Sequence, residues 1–379
     1  MDISVTPRLD NIAAAAWNAL AGNDNPFLRH EFLVALERHG CVGRHAGWVP
    51  QHITAYDRGQ LVGAAPMYLK YNSHGEFVFD WAWAEAYERN GMPYYPKLVV
   101  AVPYTPATGP RLLLADSIDQ EVVAGGLVEA ILDHARRLQT SSVHWLFTTE
   151  HDTTLLERHG FMRRSGFQFH WHNPGYRDFS DFLSSLSAEK RKKIKQERRR
   201  VREAGIEIEI LSGHQVSAEQ WKLFHAFYCS TFDRKGGSAS LTLEFFMEIG
   251  RSLAEHVVLV LAQHDGKYVA GAFNLRGGDT LYGRHWGCAA DFHGLHFECC
   301  YYSLMEYCIS HRLVRFEAGA QGEHKLARGF LPTPTWSAHW FAHPAFSAAV
   351  QDFLTRETFA LQPHLEELHA HSPFKPVCR

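Results

Sequence analysis

The run Ala262-Gln263-His264-Asp265-Gly266-Lys267-Tyr268-Val269-Ala270-Gly271-Ala272 decides the fold, because the chain contains its outline twice. An Asp-Gly turn between alternating apolar residues is a hairpin signal. At a constant offset of 207 residues, Ala55, Gly59, Val62 and Ala65 stand where Ala262, Gly266, Val269 and Ala272 stand, around the turn Asp57-Arg58-Gly59-Gln60. A second match lies further on in each half. Gly160-Phe161 is followed nine residues later by His170-Trp171, and Gly329-Phe330 is followed at the same spacing by His339-Trp340. Two matches in the same order describe a duplicated unit.

The flanking patterns repeat as well. In the first half, helix-like stretches run over 9–21 and 26–38. Asn25 is placed to cap the second, with Pro26 at its first position. A helix over 121–138 and an apolar strand over 143–147 follow the hairpin. In the second half, a strand over 206–211 precedes helices over 218–232 and 243–255. Strands over 257–276 and 280–286, a helix over 295–311 and a strand over 314–317 complete it. Such mixed units predict an α+β fold with two central sheets flanked by helices. The division expected is 1–175, a basic helical linker over 176–205, and 206–379.

Composition narrows the class. With 379 residues, 46% hydrophobic and 21% charged, there is chain enough for two cores. The net charge of −3 excludes a protein that is basic throughout. No apolar run is long enough for a membrane helix, and Met1 to Asp10 lacks the look of a signal peptide, so the cytoplasm is expected. The seven cysteines (41, 229, 288, 299, 300, 308 and 378) form no C-x-x-C pair. Neither a disulfide framework nor a zinc ribbon follows from them, and 25 scattered histidines define no metal site.

Several motifs carry more than periodicity. They are Asp80-Trp81-Ala82-Trp83-Ala84-Glu85-Ala86-Tyr87, Tyr94-Tyr95-Pro96-Lys97-Leu98, Val102-Pro103-Tyr104-Thr105-Pro106, Thr108-Gly109-Pro110-Arg111, Phe316 to Lys325, and Arg328-Gly329-Phe330-Leu331-Pro332. From Asn25-Pro26-Phe27-Leu28 to the final helix, the chain resembles the FemAB-like bacterial family named for peptidoglycan biosynthesis or recognition. The resemblance implies tandem GNAT-like acyltransferase domains. It implies transfer of an acyl or aminoacyl group to an amine, in cell-wall precursor metabolism. The co-substrate would be aminoacyl-tRNA or acyl-CoA, with no tightly bound cofactor. Two other readings stand beside it: an acyl-CoA-dependent N-acetyltransferase, and a non-catalytic module that recognises a cell-wall peptide or a protein.

The chemistry is expected in the polar loop after the strand at 314–317. Glu317 or Glu323 would orient and deprotonate an amine, with Lys325 and His285 as further catalytic groups. Gln321, His324, Arg284 and Trp286 would bind or polarise the acyl group, and the resemblance adds Arg234. In the first half, Asp80, Trp81, Glu85, Tyr94, Tyr95 and Lys97 mix aromatic and polar groups as a binding groove does. They are expected in an insertion over the sheet.

A pyrophosphate loop would present backbone N–H groups at a helix start. Residues 287–294 instead read Gly-Cys-Ala-Ala-Asp-Phe-His-Gly, and Asp291 would repel phosphate. Residues 189–203 hold nine Lys or Arg against three Glu, a local charge of +6. A helix capped by Ser187 and ended by Gly205 would carry Lys190, Arg191, Lys192, Lys193, Lys195, Arg198, Arg199 and Arg200. Ile194 and Val201 would mark its apolar stripe. Such a helix suits tRNA phosphates or an anionic membrane surface. A solvated linker is the plainer reading.

Overall fold

The computed structural model describes residues 1–116, 119–234, 236–320 and 322–375. Gln321 and Cys378 lie outside the described residues.

The first half of the chain runs β1 (Asp2–Thr6), α1 (Ala14–Ala21), α2 (His30–Arg38), β2 (Trp48–Pro50), β3 (His52–Asp57), β4 (Gln60–Ala65) and β5 (Met67–Lys70). It continues α3 (Trp81–Arg89), β6 (Lys97–Val100), β7 (Leu113–Leu114), α4 (Gln120–Leu138), β8 (Ser142–Thr148), α5 (Glu150–Arg158) and β9 (Met162–His172). The second half opens with α6 (Phe179–Ser185), α7 (Ala188–Glu203), β10 (Ile206–Leu211), α8 (Ala218–Asp233) and α9 (Leu243–Ser252). Then come β11 (Val257–His264), β12 (Lys267–Gly277), β13 (Thr280–Cys288), α10 (Leu295–Phe297), α11 (Ser303–Ser310), β14 (Arg315–Glu317), β15 (Leu331–Phe341) and α12 (Pro344–Ala370). None of the described helices is long and apolar enough to cross a membrane.

Both hairpins form where the Asp-Gly turns stand, β3 with β4 and β11 with β12. Asn25 caps a short 3-10 turn, accepting from the Phe27 N–H at 3.1 Å. The helix expected over 295–311 is instead broken by a π-turn over Glu298–Tyr302. Ser187 makes no side-chain cap; its backbone N–H donates to the Pro373 carbonyl at 2.9 Å. The stretch 80–97 is not a free insertion. Its middle is α3, and its end, Lys97, opens a fully buried strand.

By contacts the chain divides into one unit of 1–167 with 334–364, and a second of 168–333 with 365–379. This interleaves the halves instead of cutting once near 175. The basic segment 188–203 belongs to the second unit and is no separate linker. The two repeats trade their last strands. The His170-Trp171 end of β9 lies in the second unit, and His339-Trp340 of β15 lies in the first.

The first unit holds a four-stranded sheet, β1-β3-β4-β7, and a second in the order β9-β15-β8-β6-β5-β2, in which β9 contributes its first residues. α4 buries Val123, Leu127, Val128, Ile131 and Ala135 at helical spacing in the main core. A smaller core gathers Trp83, Tyr87, Tyr94, Met162, Phe341 and Leu354.

The second unit holds the order β10-β11-β12-β13-β14-β9, ending on the last residues of β9. α8 is fixed by a Ser217–Gln220 capping box. Its Trp221 and Phe224 pack with Phe246 of α9 and Phe273 of β12, with ring centroids 5.2–6.2 Å apart. α8 approaches β13 so closely that a Cβ at Gly287 would meet the Phe227 carbonyl oxygen at 1.9 Å. Only glycine permits that contact. β13 pairs with β14 in parallel only through Thr280–Tyr282 opposite Arg315–Glu317. Beyond Tyr282, the remaining residues of β13 have no partner on β14, and the candidate site lies at this parting.

Candidate functional site

The site starts with a row of side chains across three strands. Tyr282 of β13, Glu317 of β14 and His170 of β9 are paired in register, so they share one face. Glu317 is 3% exposed. Its Oε1 lies 3.2 Å from Arg315 Nε, and its Oε2 lies 3.9 Å from His170 Nε2. Burial, with the nearby charges of Arg315, His172 and Lys325, drives His170 down to about 3, so it is neutral at pH 7. Burial and the Glu317 charge push Tyr282 well above its ordinary value, so it remains a phenol.

One strand position on, the register slips. Phe273 pairs with His285 and Asn274 with Gly283, which leaves Arg284 as the extra residue of a β-bulge. Desolvation lowers its guanidinium to about 10, and Tyr228 and Glu317 work against that shift. His285 points elsewhere. It packs on Tyr228 and Phe246, 4.9 and 6.1 Å between centroids, and burial next to Arg284 holds it well below the usual histidine range. It is part of the aromatic packing under α8 and α9.

The other wall is the segment after β14. Gly319 takes a φ of +81°, and Glu323–Arg328 form a 3-10 helix. Lys325, 2% exposed, donates from Nζ to the Gly319 carbonyl at 2.8 Å. Burial lowers its ammonium to about 8, against a small opposite pull from Cys300. His324 Nε2 lies 2.9 Å from the Tyr301 hydroxyl. Trp286 stacks edge-on with His296 at 5.3 Å, and His296 with Tyr301 at 5.4 Å. The structure thus brings Glu317, Arg284 and Lys325 to the parting of the strands, with Trp286 and His324 joined to it through aromatic contacts. Glu323 is exposed on the outer side of the 3-10 helix. Arg234 bonds the Ser230 carbonyl and the Cys288 carbonyl, both at 3.1 Å, tying the end of α8 to the end of β13.

His170, Tyr282, Arg315, Cys300 and Tyr301 are members that sequence reading did not reach. His170 was visible only as half of the repeated His-Trp pair. Its place beside Glu317 depends on strand pairing between residues about 147 apart in sequence.

The first unit holds a second buried cluster. Lys97, with no exposed surface, donates to Ser73 Oγ at 2.9 Å, to Glu76 Oε2 at 2.8 Å and to Asp80 Oδ2. The Tyr94 hydroxyl also donates to Asp80 Oδ2, at 2.6 Å, and lies 3.2 Å from His144 Nε2. Lys70, 3.9 Å from Glu76, sits 3.7 Å above the Trp48 ring. Asp80, Tyr94 and Lys97 are therefore interior groups. Tyr95 is half-buried and hydrogen-bonds Ser73 at 2.7 Å, Glu85 is exposed, and Trp81 is 45% exposed beside Phe79 at 54%.

Two members of this cluster titrate near neutrality. Burial raises Glu76 to about 7, although Lys97 and Lys70 oppose the shift. Burial lowers Lys70 to about 7. The signs differ. A raised carboxyl contributes stability that is present below about 4.5 and lost as pH rises through 7. A depressed lysine contributes stability that is present above about 10.5 and lost as pH falls through 7. These two groups therefore place a stability minimum near pH 7. Denaturant unfolding across pH 5–10 should show it. Glu76→Gln should flatten the acid side, and Lys70→Met the alkaline side.

α7 buries Ile194 and Val201, as expected, and also Glu197. Its other face, with Phe179 and Leu183 of α6, lines a groove of about 670 Å³ that carries Arg191, Lys192, Lys195, Arg198, Arg199 and Arg202. Arg202 stands two residues beyond the expected set. Lys193 is exposed outside the groove, Lys190 pairs with Glu189 at 3.3 Å, and Arg200 bonds His293 at 3.1 Å. Arg198 is engaged inward with Glu298 and Glu306, at 2.8 and 2.7 Å.

A family model described as FemAB-like, peptidoglycan biosynthesis/recognition, matches residues 8–376. No curated protein matches the chain. Among solved structures, FemX is 12% identical and superposes with a TM-score of 0.54, covering 93% of this chain and 100% of its own. L-PGS from Bacillus licheniformis is 11% identical with a TM-score of 0.52, covering 88% of this chain and 98% of its own. At these identities the likeness shows the fold alone.

Proposed function

The chain belongs to the FemAB-like family of peptidoglycan biosynthesis/recognition, an acyl- and aminoacyl-transferase group, and from that premise we propose an aminoacyl-transferase that joins an activated carboxyl to an amine of a cell-wall precursor. One observation supports the chemistry. Lys325, a buried amine lowered to about 8, is held on the Gly319 carbonyl where β13 and β14 part, and its charge reaches His170, which stands beside Glu317. The acceptor's amine docks on Glu317, with the phenol of Tyr282 and neutral His170 beside it. As the amine attacks the acyl carbonyl, a C–N bond forms and negative charge collects on the carbonyl oxygen. Arg284 and protonated Lys325 stabilise that charge. Collapse breaks the bond to the leaving oxygen. Lys325 supplies a proton to that oxygen, and the new ammonium loses one to Glu317.

Between donors, the groove along α7 supports aminoacyl-tRNA, a cytoplasmic substrate, over acyl-CoA. It offers a row of cations to a phosphate chain. The 287–294 segment offers CoA an exposed Asp291 and leads into a helix of only three residues before the π-turn. The four-fold variant Lys192→Gln, Lys195→Gln, Arg199→Gln, Arg202→Gln tests this and leaves the inward-bonded Arg198 intact. Transfer from aminoacyl-tRNA should weaken. The slope of log affinity against log salt should become shallower by roughly 3, about 0.7–0.9 for each lost phosphate contact. An unchanged salt slope, or wild-type transfer from acetyl-CoA alone, removes the tRNA assignment and favours the N-acetyltransferase.

A further inference from the structure

The basic helix carries one carboxylate on its inner side that the proposed chemistry does not use. Glu197 is 7% exposed and lies between Ile194 and Val201, both buried. It accepts from Arg328 Nη2 at 2.9 and 3.1 Å and from the Tyr302 hydroxyl. Arg328, 4% exposed, has every nitrogen engaged. Nε donates to the Tyr302 hydroxyl at 2.9 Å, and Nη1 donates to the His324 carbonyl at 2.8 Å. The guanidinium lies 3.4 Å over the Phe297 ring. Three elements meet at this carboxylate. They are α7, the π-turn that carries Cys300 and Tyr301, and the 3-10 helix that carries His324 and Lys325. A short turn has little regular hydrogen bonding of its own. Here Arg328 bonds the His324 carbonyl within the turn and is itself bonded to Glu197.

A buried carboxylate on the most basic helix of the chain needs a reason. As a pure stability device it is weak, since well-packed apolar groups of similar volume often do as well. What a guanidinium provides when one nitrogen is shared by both carboxylate oxygens and the other two are held by Tyr302 and the His324 carbonyl is fixed geometry. We propose that Glu197 is a positioning residue of the transfer site: through Arg328 it sets the turn that places Lys325 and His324, and it makes the basic helix and the reacting end of the site one rigid piece. The inference rests on the transferase reading for its catalytic consequence, but not for its structural one.

Two measurements on the full chain test it. The first is amide hydrogen exchange in the free protein. Glu197→Gln keeps the size of the side chain but removes the charge that organises Arg328. Amides of 323–328 should exchange roughly tenfold faster, with the β11–β12 core unchanged. The second is steady-state transfer. In Glu197→Gln, kcat should fall roughly 10- to 100-fold, as expected for an ångström-scale displacement of a catalytic group. KM for donor and acceptor should stay within about threefold, and Glu197→Asp should recover part of the loss. Tyr302→Phe, which removes one bond and no volume, should give a smaller change of the same kind if Glu197→Gln fails to fold. Unchanged exchange at 323–328 overturns the proposal. So does unchanged kcat in a variant whose only defect is a lower melting temperature. Absence of transfer by the wild type would refute the transferase reading, while the exchange result would still decide the role of Glu197.

Discussion

Lys325→Met lowers transfer by roughly a hundred- to a thousand-fold, the usual loss when one preorganised donor to a developing oxyanion is removed. The expectation follows from where the amine is kept. It is 2% exposed, held 2.8 Å from the Gly319 carbonyl, and lowered to about 8 by burial. A lysine in that state gives up its proton near neutral pH, which suits an acid for a departing oxygen. The sign is definite. The protonated form is the working one, so turnover should fall as pH rises through about 8. Lys325→Arg should not rescue it, because guanidinium stays protonated and is too broad for the space. Methionine fills the volume without charge, so the melting temperature should stay within a few degrees. Glu317→Gln should show a comparable loss through acceptor positioning. Glu323→Gln, on the exposed side of the same turn, should stay within about threefold of wild type. Steady-state kinetics with an aminoacyl donor provide the check. Full activity in Lys325→Met ends the assignment.

The second large effect is on stability. Asp80→Asn destabilises the first unit by about 3–5 kcal/mol, because it leaves Lys97 buried with half of its compensation gone. Burial alone would push the Asp80 carboxyl up. The charge of Lys97, together with bonds from Lys97, Ser73 and Tyr94, outweighs burial and holds the carboxyl below its ordinary value. Burial would likewise lower Lys97, but Glu76 and Asp80 raise it. The two groups are ionised because each has the other. Lys97→Met should be equally damaging, as it strands Asp80 and Glu76. The double variant should recover part of the loss, because both opposing charges leave together. Urea unfolding monitored at the tryptophans gives the numbers. A change below about 1 kcal/mol in both single variants would mean that water reaches the cluster and screens it.

How far the chain was legible depended on the range of the interaction. The Asp-Gly turns at 57–60 and 264–266 are local, and both hairpins form there. Asn25 is placed by its own neighbours, and it caps. The Ile194 and Val201 stripe is a helical period, and it is buried. Longer-range features were harder to see. Nothing near Ser187 announces that its N–H is taken by Pro373, and nothing near residue 298 announces that the helix widens into a π-turn. Asp80 and Lys97 looked like groove residues because aromatic and charged side chains in one stretch suit a ligand as well as they suit a buried ion pair. Only the partner, 17 residues away, distinguishes the two.

By itself the sequence determined the duplication, the mixed α/β class, the family and the loop where the chemistry was expected, since each is written in local pattern or in family-specific motifs. The tertiary structure alone decided which members of that loop are buried and which face solvent. Glu323 and Lys325 are two residues apart, yet one faces solvent and the other is sealed beside Gly319. His285 and Arg284 are adjacent, yet a one-residue bulge leaves His285 in the aromatic packing and Arg284 at the parting of the strands. His170 joins Glu317 only through strand register, and Glu197 is joined to the His324 carbonyl only through Arg328. The physical reason is the same throughout. Burial and strand register set the charge state and the neighbours of a side chain, and both arise from contacts between segments far apart in the chain.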